Sequence, residues 1–128
     1  MSDDKIPETP RVPLGAPSFI ELGVPSGATA STFYAPLFGW RFHAYGPKAD
    51  SFWVETPTIR LGVHPGDEDR NMVVYFAVQD IEAALARVRE LGGTPGDLSP
   101  ETPGFGRFVE CKDPQGVRFG LHQAPRTA

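Results

Sequence analysis

Residues 59–64 read IRLGVH, and residues 117–122 read VRFGLH. The two hexapeptides agree position by position in chemical type, with arginine second, glycine fourth and histidine last. They lie 58 residues apart (118 − 60) in a chain of 128 residues. A motif that returns in this way indicates that one supersecondary unit is present twice.

A second pair of matches lies upstream of the hexapeptides. The tripeptide VPS at 24–26 corresponds to VQD at 78–80, and Gly39 corresponds to Gly93, both at a separation of 54 residues (78 − 24). The extra residues of the longer separation fall in turns, mainly in the CKDPQG segment of the second half. Two matches in the same order therefore support an internal duplication.

The first copy has the pattern of one strand, one helix and three further strands. Ser26 is suited to cap a helix, whose apolar residues recur at helical spacing until Gly39 ends it. The strands around this helix are predicted at residues 19–24, 40–44, 51–56 and 58–64.

The second copy repeats this order. Asp80 is suited to cap a helix that Gly92 and Gly93 close. Its strands are predicted at residues 72–78, 95–98, 107–112 and 117–123. The predicted fold class is therefore α+β, with two tandem βαβββ modules at 17–65 and 72–123.

The length and charge of the chain limit its functions. One domain, residues 17–128, accounts for most of the 128 residues, and the proline-rich residues 1–16 are predicted to be a disordered tail. A net charge of −4 argues against nucleic-acid and anionic-membrane partners, which select basic surfaces. No apolar run approaches the length of a membrane span.

The single cysteine, Cys111, excludes an intrachain disulfide and a zinc site built from several thiolates. The first residues, MSDDKIPETP, lack the basic start and apolar centre of a signal peptide. We therefore expect a cytoplasmic protein in which Cys111 is a buried, inert thiol.

The duplicated pattern resembles the vicinal oxygen chelate superfamily, which contains glyoxalase I, extradiol dioxygenases and bleomycin-resistance proteins. The resemblance rests on FYAPLFGWRF at 33–42, DIEAALARVRELGG at 80–93 and GRFVECKDPQGVRFGLHQ at 106–123. It implies a curved mixed sheet, a cavity for a small molecule and pairing of two copies as a symmetric homodimer.

Metal-dependent members of this superfamily hold a divalent ion with His, Gln or Glu on the first and last strands of each module. The resemblance places these positions at Phe19, Val73, Gly62 and Gly120. None of these side chains can coordinate a metal, so the prediction is no metal and no cofactor.

A displaced metal site is the alternative. Strand alternation groups Glu21 with Phe19, His64 with Gly62 and His122 with Gly120, and His43 lies on a nearby strand. Two arginines, Arg60 and Arg118, are expected beside these groups, where a fixed cation opposes a divalent ion.

The predicted ligand-binding residues combine aromatic walls with polar and small groups: Phe19, Trp53, Tyr75, Arg118 and Gly120. Glycines at 62 and 120 are expected to leave space for a flat molecule. The alternative is that the aromatic residues only pack the core.

Glu21 and His122 are the predicted catalytic residues. A carboxylate within an apolar strand needs a partner, which is a ligand in one interpretation and Arg118 or Arg60 in the other. His122 is suited to acid–base chemistry, or else lies at a solvated strand end. Phe105, between two glycines, either closes over a pocket or belongs to a plain turn.

Two functions are compatible with these residues. The first is a metal-free protein that binds a small aromatic or cationic molecule, as bleomycin-resistance proteins do. The second is a lyase, isomerase or dioxygenase-type enzyme of the same superfamily, which uses Glu21 and His122 as acid and base or a displaced metal site.

Overall fold

The structure is a computed structural model that describes residues 11–45 and 50–125. The chain divides into two compact units. Of the described residues, unit 1 comprises 19–45 and 50–72, and unit 2 comprises 11–18 and 73–125. Each unit contains one helix that packs against paired strands, as the α+β prediction requires.

Unit 1 contains a mixed sheet in the strand order β2-β3-β4-β1. The strand β1 runs parallel to β4, whereas β3 is antiparallel to both β4 and β2. Its elements are β1 (Pro17–Gly23), α1 (Gly27–Phe38), β2 (Arg41–Ala44), β3 (Phe52–Glu55) and β4 (Arg60–His64).

The ends of α1 lie where the sequence predicts them. The Ser26 side chain accepts a hydrogen bond from the Thr29 amide, and Gly39 ends the helix in the left-handed region with φ 73°. The Asp50 carboxylate accepts two more hydrogen bonds, from the amides of Gly27 and Ala28. The first turn of α1 is thus tied to the chain segment that leads into β3.

The core of unit 1 lies between α1 and one side of this sheet. Ala30 from the helix packs with Leu22, Val54, Leu61 and Val63 from the strands, and all five are buried. Because side chains alternate along a strand, the residues between these apolar positions point to the opposite side of the sheet. We call that opposite side the open face of unit 1.

Unit 2 has its own mixed sheet, in which β5 is parallel and β6 antiparallel to β7. Its elements are β5 (Asn71–Ala77), α2 (Ile81–Glu90), β6 (Arg107–Lys112) and β7 (Arg118–Gln123). Asp80 caps α2 as predicted, through a hydrogen bond from the Ala83 amide. The core combines Ile81, Val109, Cys111 and Leu121.

One predicted strand is absent from the described part of unit 2. Residues 95–98 form no strand; the bridge between Thr94 and Lys112 lies just before them, and the Ser99 amide donates to the Phe108 carbonyl of β6 just after them. Pro95 has no amide hydrogen to donate, and a side chain on Gly96 would overlap the Glu110 carbonyl oxygen. The segment therefore lies beside β6 without forming a ladder.

Part of the predicted tail is also structured. The Gly15 amide donates to the Ala77 carbonyl, and the Ala77 amide donates to the Ala16 carbonyl. The Arg11 guanidinium also donates to the Pro125 carbonyl. Residues 11–16 therefore pack on unit 2, contrary to the prediction of disorder. Residues 1–10 lie outside the described residues.

The two units repeat the same strand register. In unit 1, Glu21 lies opposite Gly62 and Gly23 lies opposite His64. In unit 2, Tyr75 lies opposite Gly120, and Ala77 is opposite His122. The hexapeptide repeat therefore corresponds to a repeated pairing of a first and a last strand. Neither described helix has the length and apolar character that a membrane span needs.

Candidate functional site

The open face of unit 1 carries a row of four residues across four strands. The registers place His43 beside Trp53, Trp53 beside Gly62, and Gly62 beside Glu21. Neighbours in register point to the same side of a sheet, and here that side is opposite the core. Glu21 and Trp53, two predicted site residues, thus share one surface.

Gly62 leaves a gap in this row. A Cβ atom built on Gly62 would find no other atom within 4 Å, so the space that the sequence predicts here is present. Two strand spacings, about 9.5 Å, separate the strand that carries Trp53 from the strand that carries Glu21. We call this gap between Trp53 and Glu21 the slot.

Trp53 forms one side of the slot and contacts His43 and Arg60. The His43 ring stacks on the indole at 4.1 Å between centroids, and the Arg60 guanidinium carbon lies 4.9 Å from the indole centroid. His43 is itself held by Glu55, with 2.7 Å between Nε2 and Oε1. The partly buried Trp53 ring thus lies outside the core and contacts one cationic group, the Arg60 guanidinium.

Glu21 forms the other side of the slot and lines a small cavity of about 110 Å³. Tyr45 and His64 contribute to the same cavity. Burial raises the pKa of the Tyr45 phenol, and the negative charge of Glu21 raises it further. At neutral pH, Tyr45 is therefore a neutral hydroxyl donor near a carboxylate.

Sequence reasoning did not identify Tyr45. The signal was available, because Tyr45 follows His43 by two residues and the alternation of a strand brings both to one side.

In unit 2, the matching glycine has no free space beside it. A Cβ atom on Gly120 would overlap the ring of Tyr75, so the space predicted above Gly120 is filled. Tyr75 is only 1% exposed and makes an edge-to-face contact with Phe108 at 5.9 Å. Two predicted ligand-binding residues, Tyr75 and Gly120, are therefore packed against each other.

His122 is buried, and the alternative of a solvated strand end is wrong. It is 2% exposed and stacks on Phe105 at 4.5 Å between ring centroids. Its Nε2 lies 2.6 Å from the Phe105 carbonyl oxygen, which can only accept, so Nε2 carries the hydrogen. The other ring nitrogen, Nδ1, lies 2.9 Å from the Ser18 hydroxyl.

Burial lowers the pKa of His122, although the hydrogen bond to the Phe105 carbonyl opposes this effect. Ser18 Oγ also lies 3.2 Å from the Tyr75 carbonyl oxygen and has one hydrogen to donate. The neutral tautomer with hydrogen on Nε2 therefore satisfies both His122 contacts only when the Ser18 hydroxyl donates to the nearer Nδ1 instead of to Tyr75. Proton exchange between His122 and a ligand thus requires one of these bonds to break. Phe105, for which the sequence leaves a pocket cover or a plain turn as alternatives, packs on His122 and Phe108, and its amide donates to the Thr102 carbonyl.

The remaining predicted site residues lie in different surroundings. The Arg118 guanidinium donates to both carboxylate oxygens of Glu110, at 2.6 and 3.1 Å, an ion pair that the sequence did not predict. Phe19 is 6% exposed and lies opposite Arg60 in the sheet of unit 1. Glu21 and Trp53 are the two predicted site residues that border the slot.

The structure gives no support for a divalent ion at the superfamily's positions. Phe19, Val73, Gly62 and Gly120 supply no ligand atoms from their side chains. Within residues 11–45 and 50–125, no three His, Cys, Asp or Glu side chains form a group able to hold a metal. The side chains at the superfamily's four positions therefore do not fit a metal ion.

Comparisons with known proteins agree with this architecture. The model of the family described as "Glyoxalase-like domain" matches residues 20–122. The anthracycline biosynthesis protein DauV of Streptomyces sp. strain C5 is 30% identical over 128 residues, covering 84% of this chain and 46% of that protein. The chain thus spans about half the length of this curated relative.

Two solved structures show the same fold. A glyoxalase/bleomycin resistance protein/dioxygenase superfamily member from Vibrio splendidus has a TM-score of 0.62 and 15% identity, over 84% of this chain and 97% of that chain. Methylmalonyl-CoA epimerase of Streptomyces coelicolor has a TM-score of 0.65 and 16% identity, over 90% and 98%. At these identities the likeness concerns the fold alone.

Proposed function

Because the chain belongs to the glyoxalase-like domain family, we propose that it binds a small planar organic molecule, cationic or hydroxyl-bearing, in the slot of unit 1. The observation that carries this proposal is the empty space above Gly62, with Trp53 on one side and Glu21 on the other. The binding that we propose requires no metal ion.

The two sides of the slot favour complementary parts of such a ligand. Trp53 offers an aromatic surface on which the Arg60 guanidinium already lies, so a planar cation competes for the same attraction. Glu21 accepts hydrogen bonds from an amino or hydroxyl group of the ligand, and charge-assisted bonds of this kind are stronger than neutral ones. The acidic chain, with net charge −4, also favours a cation at long range.

The relative DauV gives a second, weaker support. It is described as an anthracycline biosynthesis protein. A compound of that biosynthetic class is therefore a candidate ligand for this chain as well. The slot has room for one edge of a large ligand rather than for the whole molecule, since the cavity beside Glu21 is only about 110 Å³.

The test is a titration of the full chain with proflavine, a planar aromatic cation, followed by fluorescence anisotropy and calorimetry. Glu21→Gln removes the charge at nearly constant size and is expected to weaken binding at least tenfold, about 1.4 kcal/mol. Glu101→Gln, an exposed position of unit 2, removes the same charge elsewhere and serves as the control. Equal affinities of these two variants would contradict the proposal.

A graded filling of the slot tests the same site by shape. Gly62→Ala and Gly62→Leu place increasing bulk where no other atom lies within 4 Å, so both are expected to fold. Proflavine affinity is expected to fall modestly for the alanine variant and strongly for the leucine variant. An unchanged affinity of the Gly62→Leu protein would locate binding elsewhere.

One observation favours an enzyme as the second candidate function. Glu21 and the neutral Tyr45 hydroxyl line the same cavity, an arrangement suited to a general base and a general acid. This alternative predicts that Glu21→Gln abolishes turnover of a bound ketone, measured as exchange of its α-hydrogen in D2O, while affinity is kept. If the unaltered protein catalyses no exchange of the α-hydrogen and Glu21→Gln weakens binding of the ketone, the result favours binding alone.

The pairing of two copies that the superfamily implies is also a proposal for this chain. It is supported by an uncharged helix, α1, whose large apolar side chains are exposed. The cytoplasmic location expected from the sequence stays a prediction, which fractionation of cells that express the chain would test.

A further inference from the structure

The two helices of the duplicated fold differ in what they present to solvent. The sequence of α1, GATASTFYAPLF, contains no charged residue. The sequence of α2, IEAALARVRE, contains four, namely Glu82, Arg87, Arg89 and Glu90. A charged outer side is the usual pattern of a helix that faces water, whereas a helix without one is usually covered.

The outer side of α1 is strongly apolar. Phe33, Leu37 and Phe38 are 59%, 57% and 56% exposed, although each is a large side chain that normally loses most of its surface on folding. The apolar residues of α2 that share a side with Ile81 pack in the core of unit 2 instead. The helix α2 thus shows the pattern of a water-facing helix in this fold, with which α1 can be compared.

A groove adjoins this apolar side. It has a volume of about 390 Å³ and is lined by Val24, Pro25, Ala30 and Phe33 among others, with Arg70 as its charged member. An apolar groove beside protruding aromatic side chains is suited to contact between two protein surfaces, because a protruding side chain of one fills the recess of the other.

We infer that α1 is the surface on which two copies of this chain pair, with Phe33, Leu37 and Phe38 of each copy packed against the α1 side of the other. This inference rests on the pairing proposed above and names its surface. In such a two-fold arrangement the same patch is used by both copies, so protruding side chains and grooves exchange reciprocally.

Charge favours a second copy as the occupant. The chain has a net charge of −4, so two copies repel each other at long range. The helix α1 carries no charge, so two copies can meet along it without placing like charges of the helix in contact, whereas α2 carries four charged residues.

The exposed area of these side chains supplies part of what a dimer needs. Side chains of this size bury on the order of 200 Å² each, so the three that are more than half exposed offer roughly 300 Å² per copy. A stable interface needs about 800 Å² per partner, with an apolar centre and a polar rim. The three side chains therefore supply the centre, and the groove walls contribute to the remainder.

The experiment is sedimentation velocity of the full chain over a wide range of concentration. The unaltered protein is expected to form a dimer. Phe33→Lys combined with Leu37→Lys is expected to weaken pairing at least a hundredfold, about 2.7 kcal/mol, because two apolar anchors become charged. Ala83→Lys combined with Ala86→Lys adds the same charge at exposed positions of α2 and is expected to leave the dimer intact.

The possible outcomes distinguish a wrong choice of interface from the absence of a dimer. A dimer that both double variants retain equally overturns α1 as the surface, whereas a monomeric unaltered protein overturns the pairing as well. If the double lysine variant loses helicity, Leu37→Gln is the second variant, because it keeps helix propensity and adds no charge. It is expected to weaken pairing at least tenfold. Proflavine affinity of the monomeric variant tests the slot independently.

Discussion

Gly62 in unit 1 and Gly120 in unit 2 occupy the same position in the duplicated fold and have opposite surroundings. The space beside Gly62 is empty, whereas the ring of Tyr75 covers Gly120. The residue opposite each glycine on the first strand accounts for the difference, since Glu21 stands opposite Gly62 and Tyr75 stands opposite Gly120. One residue on the first strand thus determines whether this face is open or filled.

This difference shows that the two copies of a duplicated unit can have different roles, one in stability and one in binding. In unit 2 an aromatic ring closes the glycine gap at the density typical of a protein interior, and the face contributes to stability. In unit 1 the same gap is bordered by a carboxylate and an indole, and we propose that a ligand fills it. Identical backbone pairing is therefore compatible with opposite roles.

The largest expected effect concerns the two glycines directly. Gly120→Ala places a methyl group against the Tyr75 ring and is expected to lower the free energy of unfolding by about 2–3 kcal/mol. Gly62→Ala meets empty space and is expected to leave stability unchanged or raise it by roughly 0.5–1 kcal/mol. Urea denaturation of both variants measures the contrast, and equal effects would contradict it.

A double-mutant cycle sharpens this result. In a Tyr75→Ala background the methyl group of Gly120→Ala has room, so its cost is expected to fall below about 1 kcal/mol. An undiminished cost would place the strain in the backbone of β7 rather than in the Tyr75 contact.

A smaller effect is expected from the two histidines that end the repeated hexapeptide. His122 is buried with a lowered pKa, whereas His64 is exposed. The unfolded chain binds a proton near pH 6.5, and folded His122 binds one only at lower pH, so its contribution to stability is complete above about pH 6.5 and is lost as the pH falls from there towards the folded pKa.

Melting temperatures between about pH 7.5 and about pH 5 measure this contribution. The unaltered protein and His64→Asn are expected to lose stability with similar slopes, and His122→Asn with a shallower one. A slope of His122→Asn that equals the other two would show that His122 is not held neutral by the fold.

The smallest effect is expected at Tyr45. Burial is the main cause of its raised pKa and Glu21 the lesser one, so Glu21→Gln lowers that pKa only in part. Alkaline titration followed by the absorbance of the phenolate measures the change. The Tyr45→Phe variant identifies which of the three tyrosines is responsible. An unchanged titration in Glu21→Gln would place the carboxylate too far from Tyr45 to act with it.

Local chemistry made much of the fold predictable from the sequence. Ser26 and Asp80 are side chains that satisfy the first amides of a helix, and both helices begin directly after them. Strand alternation correctly grouped Glu21 with the residues of the open face. These features depend on neighbours along the chain, which a sequence displays directly.

The features that the sequence did not predict depend on neighbours across the sheet. The antiparallel register of β6 on β7 places Glu110 opposite Gly120, which is two residues from Arg118 on the same side of β7, and this geometry creates the Glu110–Arg118 ion pair. The register of β5 on β7 likewise places Tyr75 opposite Gly120, so the Tyr75 ring covers this glycine. Helical spacing likewise identifies which residues of α1 share a side, but not whether that side is covered.

The buried thiol of Cys111 has a practical consequence for labelling the chain with fluorescent dyes. Burial raises the pKa of Cys111, so the thiolate that reacts with alkylating reagents is scarce at neutral pH. A cysteine introduced at an exposed position, such as Lys112→Cys or Leu37→Cys, would therefore be labelled selectively by a maleimide dye. Fluorescent reporters can thus be attached to β6 in unit 2 or to α1 in unit 1 while the native cysteine stays in place.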